Sequence, residues 1–292
     1  MKFKPIYLLY ILLPITLIGI SVFGFLNSQN EDDNDIVNNN QLTQTGDANS
    51  SFTGQFDNSG NDKFYKVDRN SISQGCSGKD CIPSIENPNY ESLQDADSWL
   101  EPEDLIFTVS LNGQTKSYPQ RILNWHEIVN DDFNSTPVAV TFCPLCGSAI
   151  AFERQVDGEV LEFGVSGKLL NSNLIMYDRQ NGDYWQQETG EAIVGESARN
   201  NLELTRVKMA TRIWDEVKEK TPDTIVLSRD TGFSRNYARY PYGTYEEDGE
   251  LYFGIENTDE RLQLKAPGVG LSYKDNYKFY SDESLQDKEE IR

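Results

Sequence analysis

Leu105-Ile106-Phe107-Thr108-Val109-Ser110-Leu111 is a run of apolar and β-branched residues, and Asn112-Gly113 separates it from a second run, 114–118. An Asn-Gly dipeptide between two such runs favours a type I′ turn, because both of its residues tolerate positive φ. The stretch therefore predicts a β-hairpin, and it indicates a mainly β fold for the sequence around it.

Strand signals also dominate on both sides of this hairpin. They are apolar runs that end at Gly, Pro, Asn or Asp, and 148–156 is expected to pair with 160–169. The runs cover residues 137–142, 148–156, 160–169, 174–179, 184–187, 192–194, 202–210 and 224–228, with a hairpin signal at Asp248-Gly249. Helical signals are confined to residues 120–129 and 212–220. The expected fold is mainly β (α+β), an antiparallel β core with two or three short helices.

The predicted strand 137–142 leads directly into Cys143-Pro144-Leu145-Cys146-Gly147. Pro144 fixes one backbone angle and Gly147 tolerates a left-handed conformation, so the turn can direct both sulfur atoms to one point. Two such thiolates bind a soft metal, copper or zinc, or interconvert with a disulfide. A redox Cys-x-x-Cys is activated by a helix N-terminus, whereas a β-like run follows here, which favours a metal-binding knuckle.

The other two cysteines, Cys76 and Cys81, lie in a glycine-containing loop. Four cysteines in an exported protein usually form two disulfides. Pairing within each local pair would contribute roughly 2 kcal/mol per bridge, and pairing between the two pairs roughly 4 kcal/mol. The sequence leaves both pairings open, and it also leaves Cys76 and Cys81 as candidate metal or redox partners of Cys143 and Cys146.

His126 is the single histidine of the chain and lies in the predicted helix 120–129. It shares one helical face with Ile122, Trp125 and Val129, so its side chain is expected to point toward the core. Two interpretations stay open for His126, a hydrogen-bonded core residue and a fifth member of the metal or redox site.

Residues 6–26 form an uncharged, mostly apolar run that is long enough, at about 1.5 Å per residue, to cross a bilayer core. Lys2 and Lys4 precede it and three acidic residues follow it, which places the chain after it outside the cell membrane. A cleaved signal peptide is the alternative, but no Ala-x-Ala-like site is present. We expect the following parts: cytosolic stub 1–5, single-pass transmembrane anchor 6–26, flexible polar linker 27–62, extracytoplasmic globular domain 63–280 and polar tail 281–292.

Outside the predicted anchor the chain is strongly acidic. It holds 24 basic and 47 acidic residues there, a net charge of −23. This charge repels nucleic acid and favours cations and basic partners. The sequence also holds no phosphate-binding loop or dinucleotide fingerprint, and a Ser-His-Asp hydrolase is disfavoured with one histidine and no Gly-x-Ser-x-Gly.

Several motifs occur together between residues 75 and 245. They are Lys79-Asp80, Ser117-Tyr118-Pro119, the run 124–131, the cysteine run 143–149, and the runs 163–169 and 173–179. Together they resemble the family catalogued as domain of unknown function 3179, whose members are similar in being exported or lipid-anchored. The resemblance implies no established activity, and it fades beyond about residue 255.

Further side chains are candidates to line a site with the cysteines. Asp178 and Arg179 also fit a surface ion pair, Trp185 fits a core residue, and Lys168 fits an anion contact. The candidates are Lys79, Asp80, Lys168, Met176, Tyr177, Asp178, Arg179, Trp185 and Gln187.

Two functions fit the sequence. The first is a membrane-anchored extracytoplasmic protein that binds copper or zinc, or does thiol redox chemistry, at the Cys-x-x-Cys turn; its partner would be a redox or metal-donor protein. The second is a non-catalytic ectodomain, stapled by disulfides, that binds a partner or a surface. The oligomeric state stays open.

Overall fold

Residues 63–274 and 276–285 are described by a computed structural model. The predicted anchor 6–26 and linker 27–62 lie outside these residues. Within the described part of the chain, no helix is both long and apolar enough to span a membrane.

In the part of the chain that the structure describes, eighteen short strands account for most of the regular structure. In chain order they are β1 (Ile72–Gln74), β2 (Tyr90–Glu91), β3 (Leu105–Leu111), β4 (Gln114–Pro119), β5 (Ile128–Phe133), β6 (Thr136–Cys143), β7 (Ser148–Glu153), β8 (Gln155–Val156), β9 (Glu159–Val160), β10 (Phe163–Leu170), β11 (Asn173–Asp178), β12 (Tyr184–Gln186), β13 (Ala192–Val194), β14 (Arg206–Val207), β15 (Met209–Ile213), β16 (Ile225–Leu227), β17 (Gly268–Tyr273) and β18 (Asn276–Ser281).

The helices number five in the described residues, where the sequence predicts two or three. They are α1 (Leu93–Ala96), α2 (Gln120–His126), α3 (Glu196–Arg199), α4 (Trp214–Lys220) and α5 (Asp282–Leu285). Three of them are single turns of four residues, too short to leave a periodic signal in the sequence. The last one, α5, begins within the predicted polar tail.

Three sheets carry the structure. The first sheet has the order β1-β10-β11-β12-β13, the middle sheet β14-β7-β6-β5, and the third sheet β15-β3-β4-β16-β2; β8-β9 and β17-β18 form separate hairpins. Within the described residues, the strands pair antiparallel except β16 with β4, and the isolated bridge between Ile85 and Val129 is also parallel. The predicted mainly β, antiparallel class is therefore confirmed.

The middle sheet is buried on both faces, and this positions the cysteines. Along β6, Ala139 and Cys143 pack into the core shared with the first sheet, whereas Val138, Val140 and Phe142 pack into the core shared with the third sheet and α2. Successive side chains of a strand point to opposite faces, so the parity of position 143 directs its sulfur toward the first sheet.

The hairpin predicted around Asn112-Gly113 is present as β3 and β4, with φ of 52° and 75° at the two turn residues. The helix predicted to reach Val129 instead ends at His126. Glu127, with φ 57°, redirects the chain, and Val129 lies in β5 opposite Val140. β-Branched Ile128 and Val129 gain more from pairing in the middle sheet than from another helical turn.

Three further sequence predictions differ from the structure. β7 pairs with β6 rather than with β10, and only the short β8–β9 hairpin surrounds Asp157-Gly158. The strand predicted over 202–210 is split into β14 and β15, which belong to different sheets. Asp248-Gly249 lies in a series of turns, not in a hairpin. In each case the local pattern is compatible with a strand, but the pairing partner is decided by tertiary packing.

Candidate functional site

Cys143 ends β6 and Cys146 lies three residues further, on the turn into β7. The backbone N–H of Cys146 donates to the carbonyl oxygen of Cys143 at 3.3 Å, and Gly147 has a φ of 63°. Cys143 is buried, with 1% exposure, whereas Cys146 is exposed, and both are free thiols. The turn therefore presents one thiol to solvent and keeps its neighbour in the core.

The sulfur of Cys146 lies among polar side chains. The Asn173 amide donates to Cys146 Sγ at 3.2 Å, and the Ser148 hydroxyl lies 3.0 Å from the same atom. Ser148 Oγ is also 2.9 Å from Gln187 Oε1, so its single proton can serve either acceptor. A negative charge on Cys146 would thus gain a hydroxyl donor without movement of the backbone.

Gln187 holds this arrangement together from the core. Its buried amide donates to Thr141 Oγ1 at 3.0 Å and to the Ser148 carbonyl at 3.2 Å, and its Oε1 accepts from Asn173 at 2.7 Å. The amide of Gln187 therefore links β6, the start of β7 and the start of β11. Because every member is hydrogen-bonded, the network fixes the donors around Cys146 before any reaction.

The two cysteines have opposite pKa shifts. Hydrogen bonding from the Cys143 thiol is the main cause that lowers the pKa of Cys146 to about 6; Ser148 and Asn173 add to it, and burial acts in the opposite direction. Burial is the main cause that raises the pKa of Cys143 well above its ordinary value. The hydrogen bonds therefore favour a thiolate at Cys146, whereas burial favours a proton on Cys143.

Glu127 is a buried carboxyl next to this pair. The N–H of Phe142, one residue before Cys143, donates to the Glu127 carbonyl at 2.7 Å, and the Tyr242 hydroxyl donates to Glu127 Oε1 at 2.7 Å. Burial is the main cause that raises the pKa of Glu127 to about 7; the hydrogen bond from Tyr242 opposes this shift, and the negative charge of Cys146 adds to it. A carboxyl with such a pKa exchanges a proton readily at neutral pH.

The segment 240–253 covers the site. The Tyr245 hydroxyl donates to the carbonyl of Leu145, between the two cysteines, at 2.8 Å. Glu127, Leu145, Lys168 and Tyr242 line a cavity of about 60 Å³, which is large enough for water. The cavity gives the buried Glu127 carboxyl a route for proton exchange.

Cys76 and Cys81 are joined by a disulfide, with 6.2 Å between their Cα atoms. Of the two pairing schemes, the local one is therefore present for Cys76 and Cys81, while Cys143 and Cys146 are not bonded to each other. Cys76 also lines the 60 Å³ cavity near Glu127. The four cysteines do not form a single cluster of ligands.

His126 is buried and faces away from the cysteines toward the segment 231–237. Its Nδ1 lies 2.7 Å from the Pro83 carbonyl and its Nε2 lies 2.7 Å from the Tyr237 hydroxyl. Burial lowers the pKa of His126 to about 4, so the ring is neutral at neutral pH. Both ring nitrogens have partners, which is the arrangement of a hydrogen-bonded core residue.

Lys79, Asp80, Tyr177 and Arg179 form a separate cluster. Asp80 accepts from the Tyr177 hydroxyl at 2.5 Å and from both terminal nitrogens of Arg179 at 2.8 and 3.0 Å, and Lys79 Nζ lies 4.2 Å from the Tyr177 ring centre. Arg179 thus pairs with Asp80, and with Glu86 at 2.7 Å, rather than with Asp178. This cluster pins the loop that contains Cys81 to the first sheet.

The remaining candidates lie in or beside the core. Met176 and Trp185 are fully buried, and Asp178 accepts from Trp185 Nε1 at 2.8 Å. Lys168 donates to Gln74 Oε1 at 2.7 Å and lines the 60 Å³ cavity. Of the side chains proposed from the sequence, only Cys143, Cys146 and Gln187 meet at the thiol site.

Residues that the sequence analysis did not single out complete the site. They are Glu127, Ser148, Asn173, Tyr242 and Tyr245. Three of them, Glu127, Ser148 and Asn173, lie inside motifs that carry the family resemblance, which was the available signal, whereas the two tyrosines lie in none of these motifs.

Residues 63–274 and 276–285 contain no group of three or more His, Cys, Asp or Glu side chains arranged to hold a metal ion. The side chains hydrogen-bonded to Cys146 Sγ are the hydroxyl of Ser148 and the amide of Asn173, which are poor ligands for zinc or copper. The donor set therefore fits a hydrogen-bonded thiolate better than a four-ligand metal site.

Comparison with known proteins identifies the family. Neither a curated protein nor a solved structure matches the sequence. Residues 79–292 match the family described as protein of unknown function (DUF3179), so the expectation that the likeness fades beyond about residue 255 is wrong. Because the match covers well over half of the 292 residues, the chain belongs to the DUF3179 family of proteins of unknown function.

Proposed function

We propose that the protein is a membrane-anchored, extracytoplasmic thiol–disulfide oxidoreductase with Cys146 as the nucleophile and Cys143 as the resolving thiol. The observation that carries this proposal is the exposed Cys146 sulfur, which is hydrogen-bonded by Asn173 and lies beside a buried, protonated Cys143. An attacking thiol is most effective when its pKa is near the ambient pH, and the hydrogen bonds to Cys146 lower its pKa toward that range.

The reaction has two steps. The Cys146 thiolate attacks one sulfur of a partner protein's disulfide, which forms a Cys146–partner disulfide and releases the other partner sulfur as a thiolate. Cys143 then passes its proton to the ionised Glu127 carboxylate, attacks Cys146 Sγ, and releases the second partner thiolate. The partner disulfide gains two electrons, and the Cys143–Cys146 pair becomes a disulfide.

Glu127 supplies the proton acceptor for the second step. Its pKa of about 7 leaves it partly ionised at neutral pH, and its charge acts on the Cys143 thiol. Glu127 also lines the 60 Å³ cavity, which is large enough for a water molecule to carry the proton away. In this mechanism side-chain donors replace the helix N-terminus that activates other Cys-x-x-Cys sites.

Trapping with oxidised glutathione tests the proposal at neutral pH, on the full-length chain in neutral detergent. We expect the native protein to release two glutathione thiols and to end with a Cys143–Cys146 disulfide. Cys143→Ser should release one thiol and keep a glutathione adduct on Cys146, and Cys146→Ser should release none. The double variant Cys76→Ser, Cys81→Ser is the control and should react like the native protein.

Two results would contradict this function. One is a Cys146→Ser variant that consumes glutathione disulfide as fast as the native protein. The other is stoichiometric copper or zinc in anaerobically prepared protein that is lost when Cys143 and Cys146 are replaced, since a metal-binding role would then take the place of thiol exchange.

A further inference from the structure

A second concavity, larger than the 60 Å³ cavity beside Glu127, lies on the other side of the run 124–131. Its volume is about 580 Å³, and it is formed by the segment 228–238, by α2 and by the segment that contains Trp99. Nothing in the proposed thiol chemistry uses it. The side chains that decide its chemistry are Trp99, Arg121, Arg229, Asp230, Phe233 and Arg235.

Three guanidinium groups line this cavity, although the exported part of the chain carries a net charge of −23. Arg121 is engaged by Asp104 at 2.7 Å. Arg229 and Arg235 form no ion pair with any residue in the described ranges. Their guanidinium carbons lie 4.8 Å from the Trp99 ring centre and 5.8 Å from the Trp125 ring centre, respectively.

Arg235 also has an unused donor. Its Nε is buried and has no hydrogen-bond partner within the described structure, while its Nη1 donates only to the neighbouring Ser234 carbonyl at 3.2 Å. A buried donor without a partner is costly, so such a group usually faces a ligand or water. Burial is the main cause that lowers the pKa of His126, which lies beneath the cavity. The positive charge of Arg235 also contributes to this lowering.

Aromatic side chains supply an apolar wall beside these charges. Phe233 is 41% exposed although it is a large apolar residue, and Trp99 is partly exposed. Trp99 Nε1 donates to Glu91 at 2.7 Å, and Glu91 also lines the cavity. Asp230 is the second carboxylate in the lining, and the negative charges of both oppose anion binding, so the arginines must outweigh them.

The floor of the cavity is fixed by hydrogen bonds. The Tyr237 hydroxyl lies 2.7 Å from His126 Nε2 and 2.6 Å from Thr231 Oγ1, and the Trp125 indole donates to the Arg239 carbonyl at 3.0 Å. The backbone that carries Arg235 and Phe233 is therefore held in place before a ligand arrives, which lowers the entropy lost on binding.

We propose that this cavity binds a small organic oxyanion, a carboxylate or a phosphate attached to a planar apolar group. The oxyanion would lie between Arg229 and Arg235, because guanidinium groups match the paired oxygen atoms of carboxylate and phosphate. The apolar group would pack against Phe233 and Trp99. This binding function is separate from thiol exchange at Cys146 and does not depend on it.

Calorimetric titration of the full-length protein in a neutral maltoside detergent tests the proposal, with phenyl phosphate as the probe. We expect phenyl phosphate to bind more tightly than inorganic phosphate, which lacks the ring, and more tightly than phenol, which lacks the charge. Arg229→Gln and Arg235→Gln should each weaken binding about tenfold, since each removes a charge-assisted contact. Asp230→Asn should strengthen it, and Arg261→Gln, which changes an exposed ion pair with Asp259, should have no effect.

Thermal melting of each variant separates loss of binding from loss of folding. Arg229 is exposed, so Arg229→Gln provides a test even if Arg235→Gln unfolds. The proposal is overturned if phenyl phosphate does not bind, if it binds equally to native protein and Arg229→Gln, or if phenol binds as tightly. The oxidised Cys143–Cys146 form should bind phenyl phosphate unchanged, which keeps this result independent of the thiol reaction.

Discussion

His126 and Glu127 are adjacent residues whose burial has opposite consequences for stability. Burial lowers the pKa of His126 from 6.5 to about 4, so its contribution is fully present above pH 6.5 and is lost as the pH falls toward 4. Burial raises the pKa of Glu127 from 4.5 to about 7, so its contribution is fully present below pH 4.5 and is lost as the pH rises toward 7. Between pH 4.5 and 6.5 the two effects largely cancel.

Glu127→Gln should remove the pH-dependent contribution of Glu127 to the free energy of unfolding. At about 1.4 kcal/mol per pKa unit, the variant should be up to ~3 kcal/mol more stable than the native protein at pH 8 and no more stable at pH 4. Its free energy of unfolding should rise more steeply with pH between 4.5 and 6.5 than that of the native protein, because the opposing titration of Glu127 is removed while that of His126 remains. Urea unfolding at several pH values measures both effects.

Glu159→Gln is the matched control, because Glu159 is an exposed residue of the β8–β9 hairpin. It should follow the native pH profile. A Glu127→Gln profile that also coincides with the native one would show that Glu127 is not held in its neutral form by the fold. Slower Cys143 resolution in Glu127→Gln, measured by glutathione release, would link this residue to the redox step.

At the scale of elements, local signals predict strands well and predict their partners poorly. The Asn112-Gly113 turn and the buried run of β6 are specified by adjacent residues, and both are present in the structure. The end of α2 at His126 is not specified by adjacent residues, because it depends on the pairing of Phe142 with Glu127 across the middle sheet. The β17–β18 hairpin was missed because its glycine-rich first strand gives a weak pattern.

The candidate site also combines residues that a local motif predicts with residues that only tertiary packing brings together. The Cys143–Cys146 turn was evident from the sequence because Cys-Pro-x-Cys-Gly is a local motif. By contrast, Asn173 reaches Cys146, and Gln187 reaches Thr141, only because the first sheet packs against the middle sheet. Glu127 follows His126 in the sequence, but its side chain faces the opposite side from that of His126. The helical periodicity of the sequence does not predict this, because α2 ends at His126.

The Asp80–Arg179 pair ties the disulfide loop to β11, and its removal should loosen that junction. Arg179→Gln should lower the free energy of unfolding by about 1–2 kcal/mol, because a partly buried, bidentate contact is lost. Chemical denaturation measures this change. Arg199→Gln is the control: its pair with Glu196 is exposed, so the change should stay within about 0.5 kcal/mol. Equal effects of the two substitutions would argue against a specific role for Asp80.

At the scale of the whole molecule, the net negative charge and the apolar run 6–26 both bear on the proposal that the protein is membrane-anchored with its domain outside the cytosol. The part of the chain that follows residue 26 carries a net charge of −23, so in this proposal the anchor, and not attraction to anionic lipids, would hold the domain at the membrane. The thiol pair would then act outside the cytosol, where disulfides are available as partners.

Protease treatment of intact cells tests this placement. The domain 63–280 should be removed from outside, and a small fragment that contains residues 6–26 should stay with the membrane. Cells opened before treatment provide the control for protease access. Mature protein that begins near residue 27 in the soluble exported fraction would show that the apolar run is cleaved.

The four tryptophans of the chain are distributed over environments that differ in their optical properties. Trp185 lies in the core that contains Cys143, Trp214 lies in a separate core on the third sheet, and Trp99 and Trp125 lie beneath the arginines of the large cavity. Trp99 alone is partly exposed, so iodide in solution should quench its emission first. The intrinsic fluorescence of the protein should therefore separate into a red-shifted component from Trp99 at the cavity and a blue-shifted component from the three buried tryptophans.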